Sequence, residues 1–250
     1  MLSNFFVGRF YDSPSTISKL NPLSKMISTL IFIVMTILAK DLRLSIALFS
    51  FVFVLVLNTR IPLRVYFKTV WSIKFLILFM IIINLILKVE LTIIAITVLK
   101  IINIVLYTAV LTLTTSPLLL AKGIEKILSP LNKLKIPVKN MALSLTLAIR
   151  FIPTIINEAN KILKSQASRG VDFYSKSIKD KLSAVKNLLI PMFILSLKRA
   201  DELSLIMEVR LFNLKSDRTN YREERWSFID TYTIFVHLFM LVIIIAKGII

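Results

Sequence analysis

Residues 91–116 read LTIIAITVLKIINIVLYTAVLTLTTS and carry one charge, Lys100. A bilayer hydrocarbon layer of about 30 Å takes about 20 apolar residues at about 1.5 Å of rise each, so this stretch is long enough to cross one as a helix. Outward from it, four more stretches of the same kind occur: Pro22 to Ala39, Leu42 to Thr59, Val70 to Leu87 and Phe228 to Ala246. The chain of 250 residues is 56% hydrophobic with a mean hydropathy of +0.81. Soluble domains run at about 45–50% apolar, so the expected fold is all-α, a polytopic membrane protein with about five transmembrane helices.

Short charged breaks join the spans in pairs. Lys40-Asp41-Leu42-Arg43 separates the first two, and Lys88-Val89-Glu90 separates the next two. The connection between spans two and three carries Arg60, Arg64, Lys68 and Lys74 without an acid, which marks it as cytoplasmic. The N-terminus and residues 117–227 then fall in the cytoplasm, and the C-terminus outside. Polar Ser13 to Asn21 precedes the first long apolar run, so no cleaved signal is expected. Lys100 is expected towards the outer end of its span, where its stem can snorkel or its ammonium can pair.

Composition excludes several chemistries. The chain has no cysteine, one histidine and four glycines, Gly8, Gly123, Gly170 and Gly248. Thiolate and histidine metal sites are therefore poor expectations, and no two glycines build a phosphate-cradling loop. His237 is expected as a packed or interfacial residue of the last span and not as a proton relay, with no acid nearer in sequence than Asp230. A membrane-bound enzyme would need more catalytic residue types than this; neither a catalytic residue nor a cofactor is expected. A net charge of +18 raises nucleic acid or an anionic surface as partners, with Lys176, Lys179, Lys181 and Lys186 as a basic face. Cytoplasmic positive bias explains the same residues, and no nucleic-acid partner is expected. A self-contained channel would need more intramembrane polar groups than Asn84, Lys100, Asn103 and His237.

Twenty of the 32 basic and ten of the 14 acidic residues lie in 117–227. The domains expected are thus 1–116, with four spans, 117–227 in the cytoplasm, and 228–250, the last span. Within 117–227 the apolar spacing predicts three amphipathic helices: from Pro117 to near Pro130, from Val138 to Ser168, and from about Ile178 to Asn213. Gly170 suits the left-handed residue that ends the second. The second and third share a faint repeat, with Pro153 and Pro191 inside them and Arg169 and Arg210 near their ends. An interior proline removes a backbone hydrogen bond and usually kinks the axis, so bent, crossing helices are expected. From Pro153 to Arg169 and from Pro191 to Arg210 the arms measure roughly 24 and 28 Å. Arginine at a helix end complements the helix dipole, and its planar fork can also grip a carboxylate in a partner's acidic groove. Glu158 with Lys161, and Lys198 with Glu202, have helical pair spacing; Asp201 and Glu202 are alternatively placed to hold the crossing helices together.

Several of these residues form a recognisable series. Arg150-Phe151-Ile152-Pro153, Glu158, Gln166-Ala167-Ser168-Arg169-Gly170, Ile190-Pro191-Met192-Phe193, Leu197 to Leu203 and Met207-Glu208-Val209-Arg210 follow in order along the block. With the opening Gly8-Arg9-Phe10-Tyr11 and Leu20 to Lys25, the chain resembles the transmembrane coupling (T) component of energy-coupling factor transporters. The resemblance implies a non-catalytic scaffold in a bacterial or archaeal cell membrane, whose cytoplasmic helices form a coupling domain. It also implies as partners two ABC-type ATPase subunits and a small membrane-embedded subunit that binds a vitamin or metal ion. On that basis Ser168-Arg169-Gly170 and Val209-Arg210-Leu211 dock on the ATPases, while Pro153, Glu158, Pro191, Asp201, Glu202 and Glu208 shape the coupling helices. The second motif lacks the family's usual alanine and glycine, so its helix is expected to run on past Arg210 or to end in another way.

Overall fold

The structure, a computed structural model, describes residues 10–11, 13–134, 137–171, 173, 177–213 and 226–249. Among them the fold is all-α, as the sequence predicts for a polytopic membrane protein, and no strand occurs. The helices are α1 Pro22–Leu38, α2 Leu42–Asn58, α3 Leu63–Ser72, α4 Lys74–Ile86, α5 Leu91–Thr114, α6 Pro117–Leu128, α7 Val138–Ser168, α8 Ile178–Val209 and α9 Phe228–Ile249. A 3-10 segment, Ser129–Leu134, follows α6. Residues 10–131 and 226–249 form one compact unit, and residues 132–213 form another.

In the first unit, α1 begins where Asn21 Oδ1 accepts from Leu23 N at 3.0 Å, with Pro22 in the first turn, where its missing N–H is no loss. A fully buried carboxylate fixes this start. Asp230 Oδ1 accepts from Asn21 N at 2.8 Å, and its Oδ2 accepts from Ser227 N at 2.8 Å, one position before α9. Asp230 thereby joins two positive helix starts at one end of the unit. Lys25 Nζ donates to Thr114 O at 3.1 Å, which brings the end of α5 to that same end. Ser13 Oγ donates to Thr59 O at 2.9 Å and does so for the end of α2. The core between these helices holds Phe32, Met35, Leu48, Val52, Tyr107 and Val110, with Phe32 stacked on Tyr107 at 4.2 Å.

The third expected span is corrected. Instead of one helix over 70–87, α3 and α4 meet at Ile73 with a bend of 48°. Ser72 Oγ donates back to Lys68 O at 2.8 Å, and Ile73 N bonds Val70 O at 3.1 Å, three residues back instead of four. Such local bonds loosen the ladder and bend the axis. Judged by length and composition, α5, α7 and α9 are each able to cross a membrane, and the bent pair makes a fourth. Helices α1 and α2 have 17 residues each, about 26 Å, at the lower limit for a span. The helix expected to open the cytoplasmic block, α6, packs against α1 in the first unit. Gly123 permits this: a Cβ there would lie 2.6 Å from Met26 Sδ and 3.5 Å from Pro22 Cβ.

Candidate functional site

The second unit is built on α7 and α8, of 31 and 32 residues. Both run unbroken through their prolines, Pro153 exposed and Pro191 half-buried. Glu158 of α7 forms an ion pair and hydrogen bond with Arg199 of α8, whose guanidinium also lies 5.9 Å from the Phe151 ring centre. The side chains are 24% and 31% exposed, so the pair is shielded without being sealed. Spacing within one helix offered Lys161 to Glu158 and Lys198 to Glu202, with Asp201 and Glu202 at the helix crossing as the alternative. Both acids are instead exposed, and neither has an ion-pair partner among the described residues. At about 100° per residue, Asp201 lies some 200° around α8 from Arg199 and faces away.

The two helix ends share one geometry. Val171 N bonds Gln166 O at 3.1 Å, and Gly170 N bonds Ala167 O at 3.0 Å, with Gly170 at φ 88°. In α8, Phe212 N bonds Met207 O at 2.9 Å, and Leu211 N bonds Glu208 O at 2.8 Å, with Leu211 at φ 54°. Each is a Schellman ending, with the arginine as the cap residue and the next residue left-handed. The expectation that the second helix would end otherwise is therefore corrected: α8 stops at Val209, as α7 stops at Ser168. Leucine takes the glycine's place at a strain of about 1–2 kcal/mol.

Ser168, Arg169, Gly170, Glu208 and Arg210 are exposed; Val209 is 76% exposed and Leu211 90%. Neither arginine has an ion-pair partner among the described residues. Arg169 stands eleven residues past Glu158, and Arg210 eleven residues past Arg199. Each arginine's backbone is thus about 16 Å along its helix from the residue that makes the ion pair. Along α8, Leu182, Leu189, Phe193, Ile194 and Leu205 are exposed, and among the described residues of the unit the buried apolar side chains are Val138, Ala142, Ala159 and Ala184. So little core leaves an apolar surface with no internal cover.

The first unit holds the remaining titratable candidates. His237 is buried, with Nδ1 2.7 Å from Thr233 O and Nε2 2.7 Å from Tyr107 Oη. A carbonyl only accepts, so Nδ1 carries a proton, and Nε2 shares the second hydrogen bond with the Tyr107 hydroxyl. With both nitrogens engaged and the ring buried, His237 is packed, the first of the two readings its sequence context left open. Lys100 Nζ donates to Ile37 O at 2.9 Å, at the end of α1 opposite Asn21. Of the basic face, Lys179, Lys181 and Lys186 are exposed; Lys176, like Gly8 and Arg9 of the opening motif, lies outside the described residues. Sequence reasoning missed Arg199 and the double role of Asp230. An acid three positions after Ser227 was a capping signal in plain view.

Comparison with known proteins adds a second line to this geometry. The cobalt transport protein family, CbiQ, matches residues 13–221. The energy-coupling factor transporter transmembrane protein EcfT of Listeria innocua is 35% identical, the match covering 92% of this chain and 93% of that one. The protein of the same name from Bacillus subtilis is 33% identical over 94% of each, and that from Leuconostoc gelidum 35% identical over 92% and 91%. An all-helical membrane fold, two arginine-capped helix ends and this near full-length similarity agree: the chain belongs to the transmembrane component family of energy-coupling factor transporters.

Proposed function

We propose that the chain is the non-catalytic coupling scaffold of an importer in a bacterial or archaeal cell membrane. Arg169 and Arg210, with Ser168, Gly170, Val209 and Leu211 around them, dock on two ABC-type ATPase subunits. The uncovered apolar surface of α7 and α8 meets a small membrane-embedded subunit that binds a vitamin or a metal ion. ATP-driven closure of the ATPases moves the two arginine-tipped ends, and the packed helices pass that motion on as near-rigid bodies. Residues 117–227 and the N-terminus lie in the cytoplasm on this reading. The observation that carries it is the matched pair of ends: the same cap, the same exposure and the same eleven-residue distance from the Glu158 and Arg199 pair.

The test is co-purification of the ATPases with Arg169→Ala, Arg210→Ala and the double variant, with transport measured alongside. Removing one side of a buried charge pair costs about 2–5 kcal/mol, so each single variant weakens docking by at least about 30-fold while membrane insertion stays intact. Arg→Lys falls between, because an ammonium lacks the planar fork. A double variant that still holds both ATPases and still transports would remove the role.

A further inference from the structure

The elbow between α3 and α4 has the chemistry of a lipid site. From Leu42 to Val89 the chain carries six basic residues and no acid. Four of the six, Arg60, Arg64, Lys68 and Lys74, lie on or beside α3, and all four are exposed. The start of α3 is tied to the end of α2, where Tyr66 Oη donates to Thr59 Oγ1 at 2.9 Å, so Arg60 and Arg64 stand at the end of the unit where α1 begins. At about 100° per residue, Arg64 and Lys68 share one strip of α3, Phe67 and Trp71 occupy the adjoining strip, and buried Tyr66 anchors the far side.

Two clefts follow this division. One, of about 290 Å³, is lined by Tyr11, Arg64, Val65 and Lys68. The other, of about 280 Å³, is lined by Phe67, Val70, Trp71, Lys74, Ile77, Leu78 and Ile81, inside the bend. Phe67 and Trp71 stack at 5.7 Å, and Lys74 Nζ sits 4.7 Å from the Trp71 ring and 5.1 Å from that of Phe75. Beyond Lys74, α4 has no charge and buries none of its residues. Its 13 residues rise about 20 Å, and ten residues of α3 tilted by 48° add about 10 Å. The bent pair therefore fills a hydrocarbon layer of about 30 Å only if α3 lies in its outermost part, at the depth where tryptophan and snorkelling bases reside.

We propose that this elbow binds an anionic phospholipid, its headgroup phosphate between Arg64 and Lys68 and an acyl chain along Trp71, Ile77 and Ile81. Charge complementarity selects the occupant: four exposed cations on a stretch with no acid from Leu42 to Val89, one of them, Lys74, lining the apolar cleft itself, fit a molecule with negative charge at one end and hydrocarbon at the other. A zwitterionic lipid fills the cleft without compensating these cations. The opposite hairpins, with Asp41 beside Arg43 and Glu90 beside Lys88, offer no such acid-free set.

Fluorescence tests this directly, because the chain has two tryptophans and Trp226→Phe leaves Trp71 alone. The full chain is reconstituted in nanodiscs of mixed phosphatidylcholine and phosphatidylglycerol, with acyl-chain bromines on one lipid or the other. At equal mole fraction, brominated phosphatidylglycerol should quench Trp71 with an apparent preference of about five-fold or more. Arg64→Gln/Lys68→Gln should bring the preference to unity, Arg64→Lys/Lys68→Arg should retain it, and Lys179→Gln/Lys181→Gln should leave it unchanged. Equal quenching by the two lipids, no quenching by either, or a preference that survives Arg64→Gln/Lys68→Gln overturns the proposal.

Discussion

Gly170 and Leu211 occupy equivalent backbone positions with different side chains, so they isolate what a left-handed cap residue contributes. No atom lies within 4 Å of a Cβ built on Gly170, so Gly170→Ala acts through backbone strain alone. It should weaken the α7 ending by about 1 kcal/mol and speed exchange of the Val171 amide about five-fold. Leu211→Gly should do the reverse at Phe212, slowing exchange by a similar factor. Unchanged rates at both amides would mean that the caps do not hold the helix ends. Arg169 was legible from sequence because Gly170 announces a helix stop. The end at Arg210 was not, because leucine carries no such signal; there the hydrogen bonds from Leu211 and Phe212 reveal the stop.

Helices α7 and α8 are individually readable from apolar spacing and capping residues, since those are local properties of the chain. Their crossing is not. Glu158 has a basic residue at helical spacing in Lys161, yet it selects Arg199, forty-one positions away. The choice follows from which faces meet, and that is decided by packing of the whole unit. Charge reversal separates the pair from its surroundings. Arg199→Glu sets two acids against each other and should lower the thermal stability of the purified protein, by about 0.5–1 kcal/mol for a pair this exposed. Glu158→Arg gives two bases and a similar loss, and the double reversal should regain at least half of it. No recovery in the double variant would show that the crossing rests on apolar contact alone. Likewise the break at Ile73 escaped a reading by hydropathy, because Ser72 and Lys74 are tolerable in a span and the bend arises from hydrogen bonds back along the helix.

The ends of the first unit's helices constrain how the chain threads the membrane. Asp230 ties the start of α9 to the start of α1, and Lys25 ties the end of α5 to the same end of that unit. The segment from 116 to 227 thus leaves and returns at one end, so any membrane crossing within it must be even in number. Helix α7 is long enough to cross, but its most apolar window has a mean hydropathy of 1.2 against 2.3 for α5, and α8 does not qualify as its return. On the proposed function α7 does not cross, and both of its ends lie in the cytoplasm. The cysteine-free sequence allows a clean test by single substitutions and a membrane-impermeant maleimide. Ser129→Cys, Ser168→Cys and Ser227→Cys should label from the cytoplasmic side, in inside-out vesicles and not in intact cells. Lys88→Cys should show the opposite pattern. If Ser168→Cys sided with Lys88→Cys, α7 would be a span, Arg169 would stand outside the cell, and no ATPase could reach it.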